Sequence, residues 1–209
     1  AWLPTDQPAL LWVHVYEPHG PYVGDGPDDV ARYAEEVSRA DALLKPLLDE
    51  LTKRGARIVV AADHGEVLLE ERCGRQHERS VSDSVLRVPL FRWAPGLTPR
   101  VVTDRVGLMD VPTLLDGADP APRAHWLAES GICEAGCSPG CAPTGLLGRD
   151  RIGVSDAGRW VLRGGRFHAQ GEPSPALAEA VKAMPAVTLP GAANAREAAL
   201  LGYTSEPAP

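Results

Sequence analysis

The chain has 209 residues, of which 44% are hydrophobic and 23% charged, which is enough for one sizeable core or one core with a small appendage. Its 21 basic and 28 acidic residues give a net charge of -7, and no Lys/Arg-rich run interleaves with aromatic residues, so a nucleic-acid partner is not expected. No apolar stretch reaches the roughly 20 residues that would span a bilayer, so the chain predicts no transmembrane segment.

The first third of the chain predicts a strand, a helix and a second strand. The run LLWVHVY at 10–16 is apolar and β-branched, and residues 28–54 carry apolar side chains at spacings of three and four, with Pro46 as a point of bending. The apolar run at 57–62 follows. A helix that connects two such strands makes them parallel, and ligands then bind beyond their carboxyl ends.

The rest of the chain predicts shorter elements. In chain order they are a strand over 87–93, a helical segment over 107–117, a connection rich in Pro, Gly and Cys over 118–150, an antiparallel meander over 151–169, a helix from Ser174 and Pro175 to about 184, and a last helix from Asn194 to Gly202. The tail TSEPAP is expected to be disordered. We predict two parts, residues 1–125 and residues 126–209.

Polar side chains of catalytic type follow both predicted parallel strands. Asp63 and His64 end the second strand, and Gly65 allows both side chains to converge. A carboxylate and an imidazole are good ligands for a divalent cation. The same residues are equally compatible with Asp63 capping a helix and His64 packing in the core.

Two further histidines favour the functional interpretation. His19 lies in a proline-bracketed turn after the first strand, and His77 follows the second strand after a loop. Three histidines and an aspartate at one sheet edge could bind a cation and an anionic ester together. The other histidines are expected to be structural: His14, His125 and His168.

Four motifs in one order carry a family resemblance. WVHVYEPHGPY, IVVAADHGE, QHERSVSDSVLRVPLF and GLMDVPTLLDG, spread over residues 8–117, resemble the second half of the catalytic domain of the sulfatase family, within the alkaline phosphatase superfamily. The resemblance implies an α/β, alkaline phosphatase-like fold: a mostly parallel sheet with flanking helices, followed by a small C-terminal antiparallel β-meander and helices.

The resemblance also implies roles for the four residues. His19 would contact the anionic group and act as general acid toward the leaving group, although Glu17 replaces the family's aspartate before it. Asp63 and His64 would bind a divalent metal cation, Ca²⁺ first and Mn²⁺ or Zn²⁺ as alternatives. His77 would bind the transferred group, although Glu78 and Ser82 depart from the family's usual Gly and Tyr nearby.

The strand and nucleophile with which a sulfatase begins are absent from this sequence. The closest match, Cys141-Ala142-Pro143-Thr144, has Gly145 where the family has arginine. With Cys133 and Cys137, Cys141 could instead form a metal or disulfide knot or belong to an ordinary surface loop. We expect this chain to be a fragment that is inactive and prone to aggregation by itself.

The expected activity of the complete protein is metal-dependent hydrolysis of a small-molecule or glycan sulfate ester. The alternatives are a phosphate or phosphonate ester hydrolase or phosphotransferase of the same superfamily, and a non-catalytic remnant of the fold. The location is not defined by the sequence, although many family members are periplasmic, secreted or membrane-anchored.

Overall fold

The computed structural model describes residues 7–68, 77, 81–130, 150–163 and 165–185. These residues form four α-helices, a two-stranded sheet and a four-stranded sheet. The described part of the chain includes no helix that is both long and apolar enough to cross a membrane.

Helix α1 spans Asp29–Lys53 and confirms the predicted long helix. It begins because the Asp28 side chain accepts a hydrogen bond from the Ala31 amide (2.9 Å), and it ends before Gly55, which has φ +72°. Pro46 lies inside the helix. The apolar stripe is less buried than its spacing predicts, since Val37 is 44% exposed, while Glu36 is 2% exposed beneath the loop that precedes the helix.

The two-stranded sheet joins β1 (Ile58–Ala61) to β2 (Leu90–Trp93). Both strands were predicted, but they pair with each other in antiparallel register, from Ile58 opposite Trp93 to Ala61 opposite Leu90. The short helix α2 (Asp83–Leu86), which the sequence pattern did not predict, lies between them. All strand pairs among the described residues are antiparallel, so the predicted mostly parallel sheet is not confirmed.

The predicted strand over 10–16 is absent from the described structure. A strand exists only when its backbone groups pair with a neighbour, and no described segment pairs with these residues. Their apolar side chains are correspondingly exposed, by 82% at Leu10 and 85% at Trp12. The composition of residues 10–16 correctly indicated an apolar extended segment. It could not indicate whether another strand would pair with that segment.

The four-stranded sheet is a meander in the order β3-β4-β5-β6. Its strands are β3 (Trp126–Glu129), β4 (Arg151–Val154), β5 (Gly158–Arg163) and β6 (Arg166–Gly171). The last three confirm the predicted meander, whereas β3 lies in the stretch predicted as a connection. The sequence missed β3 because its four residues are too few for a clear periodic signal.

Helix α4 (Pro175–Lys182) confirms the helix predicted from Ser174 and Pro175, and Ser174 caps it through the Leu177 amide (3.3 Å). It packs against this sheet. Leu177 and Val181 are buried with Ile152 of β4. A Cβ on Gly153 would lie 2.6 Å from Val181 Cγ2, so only glycine allows this close approach. The sheet and α4 therefore form a core of their own.

A short helical segment precedes the second sheet and confirms the prediction over 107–117. A 3-10 turn (Leu108–Asp110) leads into α3 (Val111–Asp116), which ends at Gly117 with φ +93°. Asp110 is 2% exposed; it accepts a hydrogen bond from the Gly107 amide and two from the Arg123 guanidinium, at 2.6 and 2.8 Å. These bonds tie the start of α3 to the strand that begins at Trp126.

Several predictions lie outside the described residues: the state of Cys133, Cys137 and Cys141, the last helix from Asn194, and the C-terminal tail. The division into residues 1–125 and 126–209 stays a prediction.

We predict that Asp110→Asn lowers the free energy of unfolding by about 1.5–3 kcal/mol at neutral pH, because it removes the charge from a buried, doubly hydrogen-bonded carboxylate. The Arg123 hydrogen bonds lower the pKa of Asp110 in the folded protein. The stability that the Asp110 carboxylate contributes is therefore complete above the pKa of an aspartate in the unfolded chain, about 3.9, and is lost as the pH falls through the lower pKa of the folded state. The difference between variant and parent, measured by urea unfolding, should therefore shrink below about pH 4. Asp104→Asn, at an exposed position, is the control; equal effects of both changes would contradict the role of Asp110.

Candidate functional site

The structure brings three histidines together: His19, His64 and His77. The imidazoles of His64 and His77 are stacked, with ring centroids 3.6 Å apart and planes at 14°. His19 meets His77 edge to face at 6.2 Å between centroids. Asp63 lies beside His64, so all four residues predicted for the site are in one place, while the roles proposed for them stay predictions.

The turn after residue 16 positions His19. The His19 amide donates to the Tyr16 carbonyl (3.0 Å), and the His19 imidazole stacks on the Tyr16 ring at 4.5 Å between centroids. Nδ1 of His19 lies 2.6 Å from the Gly20 carbonyl oxygen, which can only accept, so Nδ1 carries a proton. Nε2 of His19 is then the ring atom available to a substrate.

Two glutamates of α1 hold the loop that follows this turn. The Val23 amide donates to Glu36 (2.6 Å) and the Asp25 amide donates to Glu35 (2.7 Å). Tyr22, which closes the turn, packs edge to face on Tyr33 of α1, with centroids 5.5 Å apart. The His19 turn is thereby attached to the longest helix of the described chain.

Gly65 permits the tight turn at the end of β1. Its amide donates to the Val85 carbonyl (2.8 Å), and a Cβ at this position would lie 1.9 Å from the Ser84 carbonyl oxygen. No other residue fits against α2 at this distance. The turn after β1 and helix α2 are therefore in direct backbone contact, and Asp63 and His64 lie just before that contact.

The Asp63–His64 pair has geometry suited to a shared cation. His64 Nδ1 lies 2.9 Å from the Gly65 carbonyl oxygen and so carries a proton, which leaves the lone pair on Nε2. Nε2 is 3.7 Å from Asp63 Oδ1, and two acceptors face each other favourably only when a proton or metal ion lies between them. Asp63 is accessible, with 63% of its side chain exposed.

These two side chains would supply only part of a coordination sphere. Among the described residues no three His, Cys, Asp or Glu side chains converge to hold a metal ion. Calcium takes six to eight oxygen ligands and zinc usually four, so further ligands would have to join the pair. The residues present fit a cation without identifying it.

Glu66 is the charged neighbour that the sequence did not single out. Its carboxylate lies 3.5 Å from His77 Nδ1, and both side chains are mostly buried. Burial acts to raise the pKa of Glu66, but hydrogen bonds with His77, Tyr22 and the Val67 amide outweigh it and hold that pKa below its usual value. Burial and the nearby Glu66 charge raise the pKa of Tyr22, so its phenol stays protonated at neutral pH.

Adjacency was the only sequence signal for these two residues. Glu66 directly follows the Asp-His-Gly motif and Tyr22 closes the EPHGPY motif. Neither position predicts a contact between the two side chains, because they lie 44 positions apart in the chain and a tertiary fold is needed to join them.

Three comparisons with known proteins add to this geometry. The family model "Sulfatase" matches residues 2–119. Among solved structures, the chain resembles the phosphonate monoester hydrolase SpPMH from Silicibacter pomeroyi, with a TM-score of 0.51 and 22% sequence identity over 73% of this chain. The chain spans 38% of the length of that enzyme. No curated protein matches it.

The likeness to the hydrolase structure concerns the fold. That neighbour has an alkaline phosphatase-like fold, which is the fold expected from the motifs, whereas the mostly parallel sheet of that expectation is not confirmed. The matched residues 2–119 include all four predicted site residues.

We predict that Gly65→Ala disturbs both stability and the histidine cluster, because the new Cβ would overlap the Ser84 carbonyl oxygen. Overpacking of this kind costs about 1–3 kcal/mol of unfolding free energy. Denaturant unfolding measures that loss, and the ring resonances of His64 and His77 should shift as the turn moves.

The control is Gly20→Ala in the neighbouring turn, where the nearest atom to the new Cβ is 3.8 Å away on Tyr22. Gly65→Ala with unchanged stability and unchanged ring resonances would show that the turn does not depend on this close approach.

Proposed function

The chain belongs to the sulfatase family, and from this premise we propose that in the complete protein it forms part of the active site of a metal-dependent sulfate ester hydrolase. The observation that supports the proposal is the convergence of His19, His64 and His77 beside Asp63. A structural role for histidine requires no such contact between three imidazoles, whereas an anionic ester offers several oxygens to bind at once.

Asp63 and His64 are the proposed metal ligands. Hydrolases of this family and its relatives are generally metal-dependent. A bound divalent cation would supply positive charge to balance the ester's oxygens. Ca²⁺ is the first candidate, with Mn²⁺ and Zn²⁺ as alternatives, because a carboxylate and an imidazole serve all three.

His19 is the proposed general acid. With Nδ1–H bonded to the Gly20 carbonyl, the proton that moves is the one on Nε2 of the imidazolium. It would pass to the bridging oxygen as a nucleophile forms its bond to sulfur and the bond from sulfur to that oxygen breaks, so that an alcohol leaves instead of an alkoxide. His77 would bind the transferred group through its own ring nitrogen.

The second candidate substrate is a phosphate or phosphonate ester. The superfamily fold accommodates both chemistries, and a fold does not by itself choose a substrate. Turnover of 4-nitrophenyl sulfate, 4-nitrophenyl phosphate and a 4-nitrophenyl phosphonate by the complete protein separates the candidates, because the leaving group is the same in all three. Preference for the sulfate supports the first candidate; turnover of none of them contradicts both.

We predict that Asp63→Ala in the complete protein reduces turnover and cation affinity by at least about 10–100-fold, because it removes one of the two proposed ligands. Chelation of the parent should abolish activity, and re-addition of Ca²⁺, Mn²⁺ or Zn²⁺ singly identifies the metal. Asp41→Ala, on the exposed side of α1, is the control. Full activity of the chelated parent would show that no cation takes part.

We predict that His19→Gln slows hydrolysis of esters with poor leaving groups, such as alkyl or phenyl esters, by about 10²–10⁴-fold. The 4-nitrophenyl ester should lose much less, because its leaving group needs little protonation. The control is His168→Gln at an exposed position of β6.

Equal losses for both classes of ester would argue against proton transfer by His19 and in favour of a binding role alone.

A further inference from the structure

Glu66 is a mostly buried carboxylate at the site, and the roles proposed so far do not use it. Only 13% of its side chain is exposed. Its Oε1 accepts a hydrogen bond from the Val67 amide (3.2 Å), and its Oε2 lies 3.5 Å from His77 Nδ1. The Tyr22 hydroxyl also interacts with this carboxylate, and together with burial the Glu66 charge raises the pKa of Tyr22.

Tyr22, which contacts Glu66 on the side away from His77, is attached to helix α1. The Tyr22 ring packs on Tyr33 of α1 at 80° between planes, and the next residue, Val23, is held by the buried Glu36. Glu66 is therefore supported by α1 through Tyr22 and by its own backbone neighbour Val67. A carboxylate held in this way has a fixed position and can therefore fix the position of the group it contacts.

The stacking of His77 on His64 fixes the plane of the His77 ring. It does not fix which edge of the ring, the one with Nδ1 or the one with Cδ2, faces Glu66. Rotation of an imidazole by 180° about its Cβ–Cγ bond keeps the ring plane and exchanges Nδ1 with Cδ2. Stacking energy is nearly the same in the two orientations, whereas a carboxylate attracts only the N–H edge. The contact with Glu66 distinguishes the two orientations.

We propose that Glu66 is a positioning residue for His77: it selects the ring orientation and keeps a hydrogen on Nδ1, so that Nε2 is the ring atom turned toward the anionic group and donates to it when both ring nitrogens carry a hydrogen. The inference rests on the proposed function, in which His77 binds that group. A carboxylate that holds the second nitrogen of a functional histidine acts on the tautomer and orientation of the ring and need not touch the substrate.

The alternative is that the Glu66–His77 pair only stabilises the fold. Both interpretations predict some loss of stability when Glu66 is changed. They differ in the state of the His77 ring and in whether the effect of Glu66 on turnover passes through His77.

The first measurement is the long-range ¹H–¹⁵N spectrum of the His77 ring in the complete protein. The parent should show a protonated Nδ1, and Glu66→Gln, whose amide can donate as well as accept, should shift the ring toward a mixture of tautomers. Tyr22→Phe, a milder change that removes one partner of Glu66, should shift it in the same direction by less. The control is Glu50→Gln, the same change at an exposed position of α1. An unchanged His77 ring in both site variants would overturn the proposal.

The second measurement is a double-mutant cycle on turnover with Glu66→Gln and His77→Ala. We expect Glu66→Gln alone to lower kcat by about 10–100-fold with cation affinity unchanged, and to add nothing in the His77→Ala background. Additive losses would overturn the proposal, because Glu66 would then act independently of His77. If His77→Ala left turnover unchanged, the role of His77 in the proposed function would be wrong, and the ring spectrum would decide the Glu66 contact by itself.

Discussion

The close approach of Gly65 to helix α2 is the constraint on which the site depends. The Gly65 amide bonds to the Val85 carbonyl, and the space for a side chain at residue 65 is filled by the Ser84 carbonyl. Asp63 and His64 lie on one side of this contact and Glu66 on the other. The four consecutive residues that carry most of the site's polar chemistry are thus held by a backbone contact that tolerates no substitution of the glycine.

Helix α2 is in turn held by the second sheet. Arg159 of β5 donates to both carboxylate oxygens of Asp83 at the start of α2, at 2.7 and 3.2 Å, and its hydrogen bonds lower the pKa of Asp83. The pair is partly exposed, so its contribution to stability is modest. Its bidentate geometry still restricts the orientation of α2, and through Gly65 it connects a meander with no predicted site residue to the histidine cluster.

The sequence predicted local features well and pairings poorly. Periodicity and caps sufficed for α1, for α4 and for β4 to β6, because each depends on neighbours within a few residues. The four site residues came from motifs and from a family resemblance. The missed features are long-range: the antiparallel partner of β1, the lack of a strand partner for residues 10–16 among the described residues, and the contact of Glu66 with His77. No local pattern encodes which distant group will meet a given backbone or side chain.

The stacked pair of His64 and His77 links the two halves of the proposed chemistry. His64 faces the carboxylate of Asp63, and His77 faces the carboxylate of Glu66, so each imidazole has its own acidic partner while the rings share a face. Two imidazoles 3.6 Å apart would repel if both became cationic without these carboxylates. If Asp63 and His64 hold a cation as proposed, that cation would fix the His64 ring, on which the His77 ring is stacked. The proposed cation binding at one residue pair and the proposed anion binding at His77 would then be coupled, and by linkage each would change the affinity for the other by the same factor.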